Sequence, residues 1–176
     1  MPTSKAMAVW EGKLRDGKGT FKAGSAAFGG AYSFATRFEG KAGTNPEELI
    51  AAAHAACFSM ALSAGLEKAG KPVTRVETTA ACTLETVDGA PKITRIALTT
   101  RGKVPGLDQP GFQKAAEDAK NNCPVSKALK GNVEFTLDAQ LSGLKKMLMG
   151  GMVQKTMDAE MGALDTLKRV LEGQGS

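Results

Sequence analysis

An uncharged stretch behind a strong helix-start signal constrains this chain more than any other feature. Residues 49–66 carry no formal charge and are rich in alanine. Immediately before them, Asn45 is a favoured N-cap, Pro46 suits the first helical position, and Glu47 complements the positive end of the helix dipole. The pattern predicts one long helix from about Pro46 to Lys68.

This helix is expected to be buried within a protein rather than to span a membrane. A membrane-spanning helix needs about 20 strongly apolar residues, whereas this stretch includes His54, Ser59 and Ser63. Gly70 suits the helix C-terminus. The N-terminus has no apolar signal core, so we expect a cytoplasmic protein, a reducing setting in which cysteines are more often catalytic than structural.

The rest of the chain alternates strand and helix patterns, which together predict an α+β fold. A turn at Asp88-Gly89 should join two long strands into a hairpin. The expected strands cover 6–14, 20–22, 31–37, 76–85, 92–103 and 133–141, and the further helices cover 109–121 and 124–129. We divide the chain into a main domain at 1–141 and a helical extension at 142–176.

Charge and spacing argue against several classes of function. The net charge is +5, but the basic residues do not cluster and no aromatic residues are interleaved with them. Nucleic-acid binding, which needs such a surface, is therefore not predicted. No C-x-x-C or H-x-x-x-H spacing indicates a metal site, and we predict neither a metal nor a cofactor.

The three cysteines differ in their expected chemistry. Cys82 lies on the apolar face of a strand and is expected to be an inert, buried thiol. Cys123 directly precedes Pro124 at a helix start, where backbone N–H groups favour a thiolate. Cys57 lies in the apolar helix, where burial should raise its pKa unless a cation is close. Cys57 lies on the helix face that is expected to point into the core, which consists of Ile50, Ala53, Cys57, Ala61 and Ala64.

The only histidine, His54, lies three residues before Cys57 on the same helix face. Two interpretations stay open. It is either a hydrogen-bonded structural histidine or one half of a thiol–imidazole pair in a hydrolase.

Five motifs, in order, give the chain a family resemblance. They are WEG at 10–12, TRFEG at 36–40, GTNPEEL at 43–49, AAHAACF at 52–58 and NCPVS at 122–126. Together they resemble the osmotically inducible protein C / organic hydroperoxide resistance (OsmC/Ohr) family. The RFEG and AAHAACF motifs are closer to the OsmC branch. The resemblance implies an intertwined homodimer in which β-sheets wrap two long central helices.

The resemblance also implies a chemistry. Cys57 would attack an organic hydroperoxide and become a sulfenic acid, and Cys123 would resolve it as a disulfide. An external dithiol, such as dihydrolipoamide or a lipoylated protein, would reduce that disulfide. Arg37 and Glu47 match the family's assisting pair, with Arg15 as a rival for the arginine.

Helix geometry adds a constraint on Glu47. Ten residues of helix separate it from Cys57, about 15 Å along the axis. If Glu47 is catalytic, it should therefore act on Cys57 of the other subunit, so that active sites lie at the dimer interface.

Other functions stay open at this stage. The alternatives are a non-catalytic dimeric protein that binds a small ligand, and a thiol hydrolase using Cys57 and His54. The extension at 142–176 could pack on its own domain or dimer, dock a partner, or cover the peroxide site.

Overall fold

The computed structural model describes residues 3–142 and confirms the α+β class. In chain order the elements are β1 (Ala6–Glu11), β2 (Lys18–Ala23), β3 (Gly29–Ser33), α1 (Phe34–Phe38), α2 (Pro46–Lys68), β4 (Arg75–Val87), β5 (Ala90–Lys103), α3 (Gln109–Asn122), α4 (Pro124–Leu129) and β6 (Glu134–Leu141). The predicted extension at 142–176 lies outside the described residues except for Ser142. Its helical structure and the domain division stay predictions.

The long helix α2 begins and ends where the sequence predicts. The Asn45 side chain accepts a 2.8 Å hydrogen bond from the backbone N–H of Glu48, which caps the first turn. At the other end Gly70 adopts a positive φ of 70°, and the N–H of Lys71 donates to the Leu66 carbonyl at 2.9 Å. A glycine in this conformation ends the helix without steric cost.

The predicted inward stripe of α2 is only partly correct, because Ile50, Cys57 and Ala61 pack against the core. Ala53 and Ala64 are exposed, and the buried apolar line is rotated to one side of them. Because alanine and larger apolar residues surround the helix on all sides, periodicity alone did not determine its orientation. The large side chains and the histidine define the inner face: His54, Phe58, Leu62 and Leu66.

The inner face of α2 packs on β4, α3 and α4. By length and composition α2 would also be able to cross a bilayer. Its contacts with the sheet and with two helices, and a hydrogen-bonded histidine among its buried residues, identify it as the core helix of this domain.

The second sheet, ordered β4-β5-β6, contributes its side chains to the hydrophobic core. β4 and β5 form the predicted hairpin, whose turn residues Asp88 and Gly89 both have positive φ. β6 returns parallel to β5 after α3 and α4. The core is closed by Ile96 and Leu98 of β5 and Phe112 of α3, all essentially without solvent exposure.

The first sheet, ordered β1-β2-β3, is poorly covered within the described chain. Its main contacts outside the sheet are with α1. Met7, Val9 and Phe28 are 64%, 47% and 60% exposed, and Met60 on the outer face of α2 is 74% exposed. A small apolar sheet normally needs a second layer for stability, and residues 3–142 do not provide one here.

The strand predicted at 31–37 is only partly correct. β3 ends at Ser33, and residues 34–38 form the short helix α1. A capping box explains the change, because the Ser33 hydroxyl accepts from the Thr36 N–H at 3.2 Å and Thr36 Oγ1 accepts from the Ser33 N–H at 2.9 Å. Arg37 therefore lies on a helix rather than on a strand.

Candidate active site

The two cysteines singled out by the sequence meet in the core of one chain. The Sγ atoms of Cys57 and Cys123 are 3.1 Å apart. Cys57 comes from the middle of α2, and Cys123 joins α3 to α4. The backbone of Cys123 is fixed on both sides, because its N–H donates to the Ala119 carbonyl at 2.8 Å and its carbonyl accepts from the Lys127 N–H at 3.0 Å. The family resemblance implied that these two cysteines form a disulfide, whereas local sequence chemistry did not pair them.

Cys123 is the more acidic thiol within one chain. Burial by itself would raise its pKa, but the surrounding donors outweigh that effect and lower the pKa below its ordinary value. These donors are the Ser126 N–H, the Cys57 thiol, the Ser126 hydroxyl and the Val125 N–H. The Cys123 side chain makes no capping hydrogen bond, so the polar groups in the first turn of α4 act on the sulfur over longer distances. This agrees with the chemistry expected at a helix N-terminus.

Cys57 shows the opposite behaviour. Burial raises its pKa, and the hydrogen bond to Cys123 and the negative charge of Cys123 raise it further, against a smaller lowering by the Val125 backbone. Among residues 3–142, no arginine or lysine acts on this sulfur. When one of the two thiols of a single chain ionises, these effects favour the negative charge on Cys123 rather than on Cys57.

Arg37 and Glu47 form a tight ion pair, as the resemblance implied for an assisting pair. Arg37 Nη2 donates to Glu47 Oε1 at 2.7 Å, and Nε lies 3.1 and 3.2 Å from the two carboxylate oxygens. The Glu47 side chain is 8% exposed, whereas that of Arg37 is 35% exposed. This forked geometry holds the guanidinium in one orientation and leaves part of it accessible.

Within one chain this ion pair is separate from the cysteine pair. α2 is continuous from Pro46 to Lys68, so Glu47 and Cys57 are about 15 Å apart along its axis. The structure thus brings together Arg37 with Glu47, and Cys57 with Cys123, but does not bring the two pairs together inside one chain.

Arg15 lies close to the same corner of the molecule. Its Cζ is 4.9 Å from the Phe34 ring centroid, and the Arg37 Cζ is 5.1 Å from that of Phe38. The two rings are themselves 4.8 Å apart. Both arginines therefore stack on one aromatic pair in α1, and Arg37 is the one that pairs with Glu47.

His54 is fully buried, and its partner is a serine rather than Cys57. Its Nε2 lies 2.8 Å from the Ser126 Oγ, its Nδ1 has no hydrogen-bond partner among the described residues, and Phe135 packs edge-on at 5.3 Å. Burial lowers the pKa of His54, which favours neutral imidazole. Sequence reasoning gave no role to Ser126, although its position in the first turn after Cys123-Pro124 was a usable signal.

Cys82 is not a member of the cysteine pair. It is half-buried on β4 and packs against the core. Burial raises its pKa, and the negative charge of Glu47 raises it further. Both effects favour a protonated, unreactive thiol.

No metal centre accompanies these groups in the described part of the chain. Residues 3–142 contain no group of three or more histidine, cysteine, aspartate or glutamate side chains placed to hold an ion.

Comparison with known proteins identifies the family of the chain. The family model described as OsmC-like protein matches residues 38–138. The chain is 51% identical to peroxiredoxin OsmC of Escherichia coli strain K12 over 138 residues, which is 78% of this chain and 95% of that protein. It is 36% identical to organic hydroperoxide resistance protein OhrB of Bacillus subtilis over 101 residues, covering 57% of this chain and 72% of OhrB.

Solved structures give the same result for the fold. The crystal structure of Bacillus subtilis OhrB superposes with a TM-score of 0.63 at 27% identity, covering 77% of this chain and 98% of that one. The chain therefore has the fold of the OsmC and Ohr proteins and a paired-cysteine site. It belongs to the OsmC-like family, and the higher identity to OsmC supports the OsmC branch.

Proposed function

We propose that this protein is a thiol-dependent peroxidase that reduces organic hydroperoxides to alcohols. The observation that carries the proposal is the 3.1 Å contact between Cys57 and Cys123. It occurs in a chain 51% identical to a protein named as a peroxiredoxin. A disulfide needs a sulfur–sulfur distance of about 2.05 Å, so the two sulfurs must approach by about 1 Å to form one.

The reaction has two steps on the protein. The Cys57 thiolate attacks the outer peroxide oxygen, the O–O bond breaks, and the alkoxide takes a proton to leave as an alcohol. Cys57 is then a sulfenic acid, which the Cys123 thiolate attacks to form the disulfide while hydroxide leaves and is protonated to water. Rapid capture by a second thiol prevents further oxidation of the sulfenic acid. An external dithiol then reduces the disulfide.

The order of attack requires help that a single chain does not give. A thiolate at Cys57 is disfavoured by burial and by the charge on Cys123. A guanidinium beside Cys57 would reverse this and orient the peroxide. Arg37, held by Glu47 and 35% exposed, has the required chemistry. We propose that it acts across the interface, on Cys57 of the partner subunit.

The uncovered apolar surfaces support a dimer of this kind. The first sheet and the outer face of α2 border an open apolar cavity of about 680 Å³. Its lining includes Met7 and Phe28 of the sheet region and Leu49, Ala52 and Ala53 of α2. A second copy of the chain, laid over these faces, would bury them and bring the ion pair of one subunit to the cysteines of the other.

The activity test compares cysteine variants with two peroxides. With a dithiol as reductant, the protein should consume cumene hydroperoxide faster than hydrogen peroxide. Cys57→Ser should lose turnover, while Cys82→Ser, the matched control outside the site, should retain it. Consumption by Cys57→Ser at the wild-type rate would rule out the assigned nucleophile.

The reductant and the compartment are part of the same proposal. Reduction of an intramolecular disulfide by a dithiol is favoured because the second thiol closes a ring and releases the mixed disulfide. We propose dihydrolipoamide, free or on a lipoylated protein, in the cytoplasm. Turnover should be faster with dihydrolipoamide than with an equal thiol concentration of a monothiol, and equal rates would reject the dithiol requirement.

The contacts of His54 argue against the hydrolase, and the activity assay distinguishes the peroxidase from a binding protein. For a hydrolase, His54 would have to activate Cys57, but its Nε2 contacts Ser126, and within residues 3–142 its Nδ1 lacks the orienting partner that a catalytic triad needs. A non-catalytic binding protein would retain a hydroperoxide without consuming it, which the activity assay distinguishes directly.

A further inference from the structure

Apolar residues surround α2 on all sides, yet the helix has to point Cys57 in one direction. The uncharged stretch at 49–66 has only three side chains with oxygen or nitrogen atoms, which are His54, Ser59 and Ser63. Apolar packing is non-directional, so by itself it specifies the rotation of such a helix weakly. Two of the three polar side chains, His54 and Ser59, make hydrogen bonds to other elements, and both lie within one turn of Cys57.

Ser59 ties one side of α2 to the second sheet. Its hydroxyl donates to Thr78 Oγ1 of β4 at 2.8 Å, and Thr78 Oγ1 lies 3.0 Å from Thr100 Oγ1 of β5. Thr100 is fully buried and donates to the Glu77 carbonyl at 3.1 Å. Because each hydroxyl has one hydrogen to donate, the hydrogen bonds run in one direction, from Ser59 through the two threonines to the backbone of the sheet.

His54 ties another side of α2 to α4. Its Nε2 lies 2.8 Å from the Ser126 Oγ, and the two residues are 0% and 4% exposed. Ser126 lies in the first turn of α4, the helix for which Cys123 is the N-cap residue. The N–H of Lys127 in the same turn donates to the Cys123 carbonyl at 3.0 Å. The contact between His54 and Ser126 therefore sets the position of the Cys123 backbone relative to α2.

The two contacts together restrain both the rotation of α2 and its position along its axis. His54 and Ser59 are five residues apart, which places them about 140° apart around the axis and about 7.5 Å apart along it. A helix held at one point can pivot about that point, whereas two points on different sides prevent this. Side-chain tips lie about 5 Å from the helix axis, so a rotation of about 10° moves a sulfur by roughly 1 Å. That displacement is as large as the approach from 3.1 Å that Cys57 and Cys123 need to form a disulfide.

We propose that His54 and Ser59 are positioning residues, which hold α2 in the one rotation that points Cys57 at Cys123. Each acts through the serine or threonine hydroxyl to which it is bonded, and neither has a chemical step in the proposed reaction. Breaking either contact is unfavourable, because buried donors and acceptors would lose their partners. The inference rests on the proposed function in one respect, since the disulfide between these two cysteines is a step of that reaction.

The first test measures how well the reduced protein brings its two thiols together, and it uses no peroxide. In a Cys82→Ser background, the protein is equilibrated with glutathione: the two thiols become a disulfide while one oxidised glutathione becomes two reduced molecules. The equilibrium constant of this exchange is the effective concentration of Cys57 and Cys123 toward each other. Thr78→Val, which keeps the shape but removes the hydroxyl, should lower this constant roughly three- to tenfold. Thr78→Ser, which keeps the hydroxyl, should stay within about twofold of the parent.

A second pair of variants tests the contact with α4. His54→Leu should lower the constant by a similar factor, and His54→Gln, whose amide N–H can still donate to the Ser126 hydroxyl, should recover most of it. Ile96→Val is the control for stability, because it shortens a buried side chain on β5 that takes part in neither contact. It should lower the Tm without changing the constant, since the dithiol and disulfide forms lose stability equally. An equal fall for Ile96→Val, or a constant that is unchanged or raised in both Thr78→Val and His54→Leu, would overturn the inference.

A peroxide assay separates this inference from the proposed function. After one equivalent of cumene hydroperoxide, Thr78→Val should form the Cys57–Cys123 disulfide roughly three- to tenfold more slowly than Thr78→Ser, and His54→Leu more slowly than His54→Gln by a similar factor. If the equilibrium constants shift as expected but no variant reacts with peroxide, the positioning role stands and the peroxidase function fails. If every variant reacts with peroxide and the equilibrium constants do not differ, the peroxidase function stands and the positioning role fails.

Discussion

A substitution at Gly102 on β5 tests whether the packing of α3 on the sheet positions Cys123. A Cβ at this position would lie 2.3 and 2.4 Å from the Cε2 and Cζ atoms of the Phe112 ring. Carbon atoms in favourable contact are about 3.5–4.0 Å apart, so the ring would have to move by more than about 1 Å. Phe112 is fully buried, and a close-packed interior leaves a ring little room to move. Gly102→Ala should therefore force α3 away from the sheet.

The expected cost is at the upper end of the range for overpacking. Such substitutions cost about 1–3 kcal/mol, and a contact this short predicts about 3 kcal/mol. For a domain of this size that lowers Tm by roughly 6–12 °C. Because α3 ends at Cys123, which must approach Cys57 by about 1 Å, the rate of disulfide formation should also fall roughly ten- to a hundredfold.

A double-mutant cycle separates this steric effect from a general loss of stability. Phe112→Leu alone should cost about 1 kcal/mol, and it leaves room for the added methyl group. The double variant should be more stable than the sum of the two single changes predicts, by about 2 kcal/mol, measured by urea denaturation monitored by circular dichroism. Additive effects within about 0.5 kcal/mol would mean that Gly102 and Phe112 do not pack as described.

Three further predictions concern the site itself. Arg37→Met and Glu47→Gln should each lower kcat/KM for cumene hydroperoxide roughly a hundredfold in steady-state assays, and Arg37→Lys should not restore it, because lysine lacks the forked geometry. Cys123→Ser should stop at the sulfenic acid of Cys57 after one equivalent of peroxide, and excess peroxide should oxidise that sulfenic acid further to sulfinic acid, detected by mass spectrometry. Since burial lowers the pKa of His54 below its ordinary value of 6.5, the unfolded chain binds a proton that the folded chain does not as the pH falls below about 6.5. The free energy of unfolding should therefore decrease there, and His54→Gln should flatten that part of a pH–denaturation profile.

Local sequence chemistry predicted the main elements well. The bounds of α2 followed from Asn45, Pro46 and Gly70, whose preferences are set by their own backbone and capping hydrogen bonds. The position of Cys123 at a helix start, and the direction of its pKa shift, followed from the adjacent Pro124. These features depend on a few neighbouring residues, so a single sequence contains the information.

Features that depend on tertiary packing could not be predicted in the same way. The inward face of α2 was predicted only in part because an alanine-rich helix has apolar residues on every side, and only packing on β4, α3 and α4 distinguishes them. Ser126 was missed because its partner His54 lies 72 residues away in the chain. The helix at Arg37 was missed because the capping box of Ser33 and Thr36 interrupts a strand-like pattern.

The family resemblance was informative where local chemistry pointed the other way. Taken by themselves, the pKa shifts of the two thiols favour Cys123 as the first nucleophile. The resemblance assigns that role to Cys57, and a partner subunit's arginine would make the assignment physically consistent. Heterodimers that combine Glu47→Gln subunits with Cys57→Ser subunits should recover activity if the site is shared, since each mixed dimer then contains one intact site. A mixture no more active than its parents would contradict a shared site.

Peptide mapping of the oxidised protein tests the central claim most directly. After one equivalent of cumene hydroperoxide per chain, proteolysis without reductant should yield one disulfide-linked peptide pair joining Cys57 to Cys123, with Cys82 still a free thiol. The same linkage should be absent from Cys57→Ser and Cys123→Ser. A stable product in which these two cysteines are not joined, or in which Cys82 carries the disulfide, would contradict the two-cysteine mechanism.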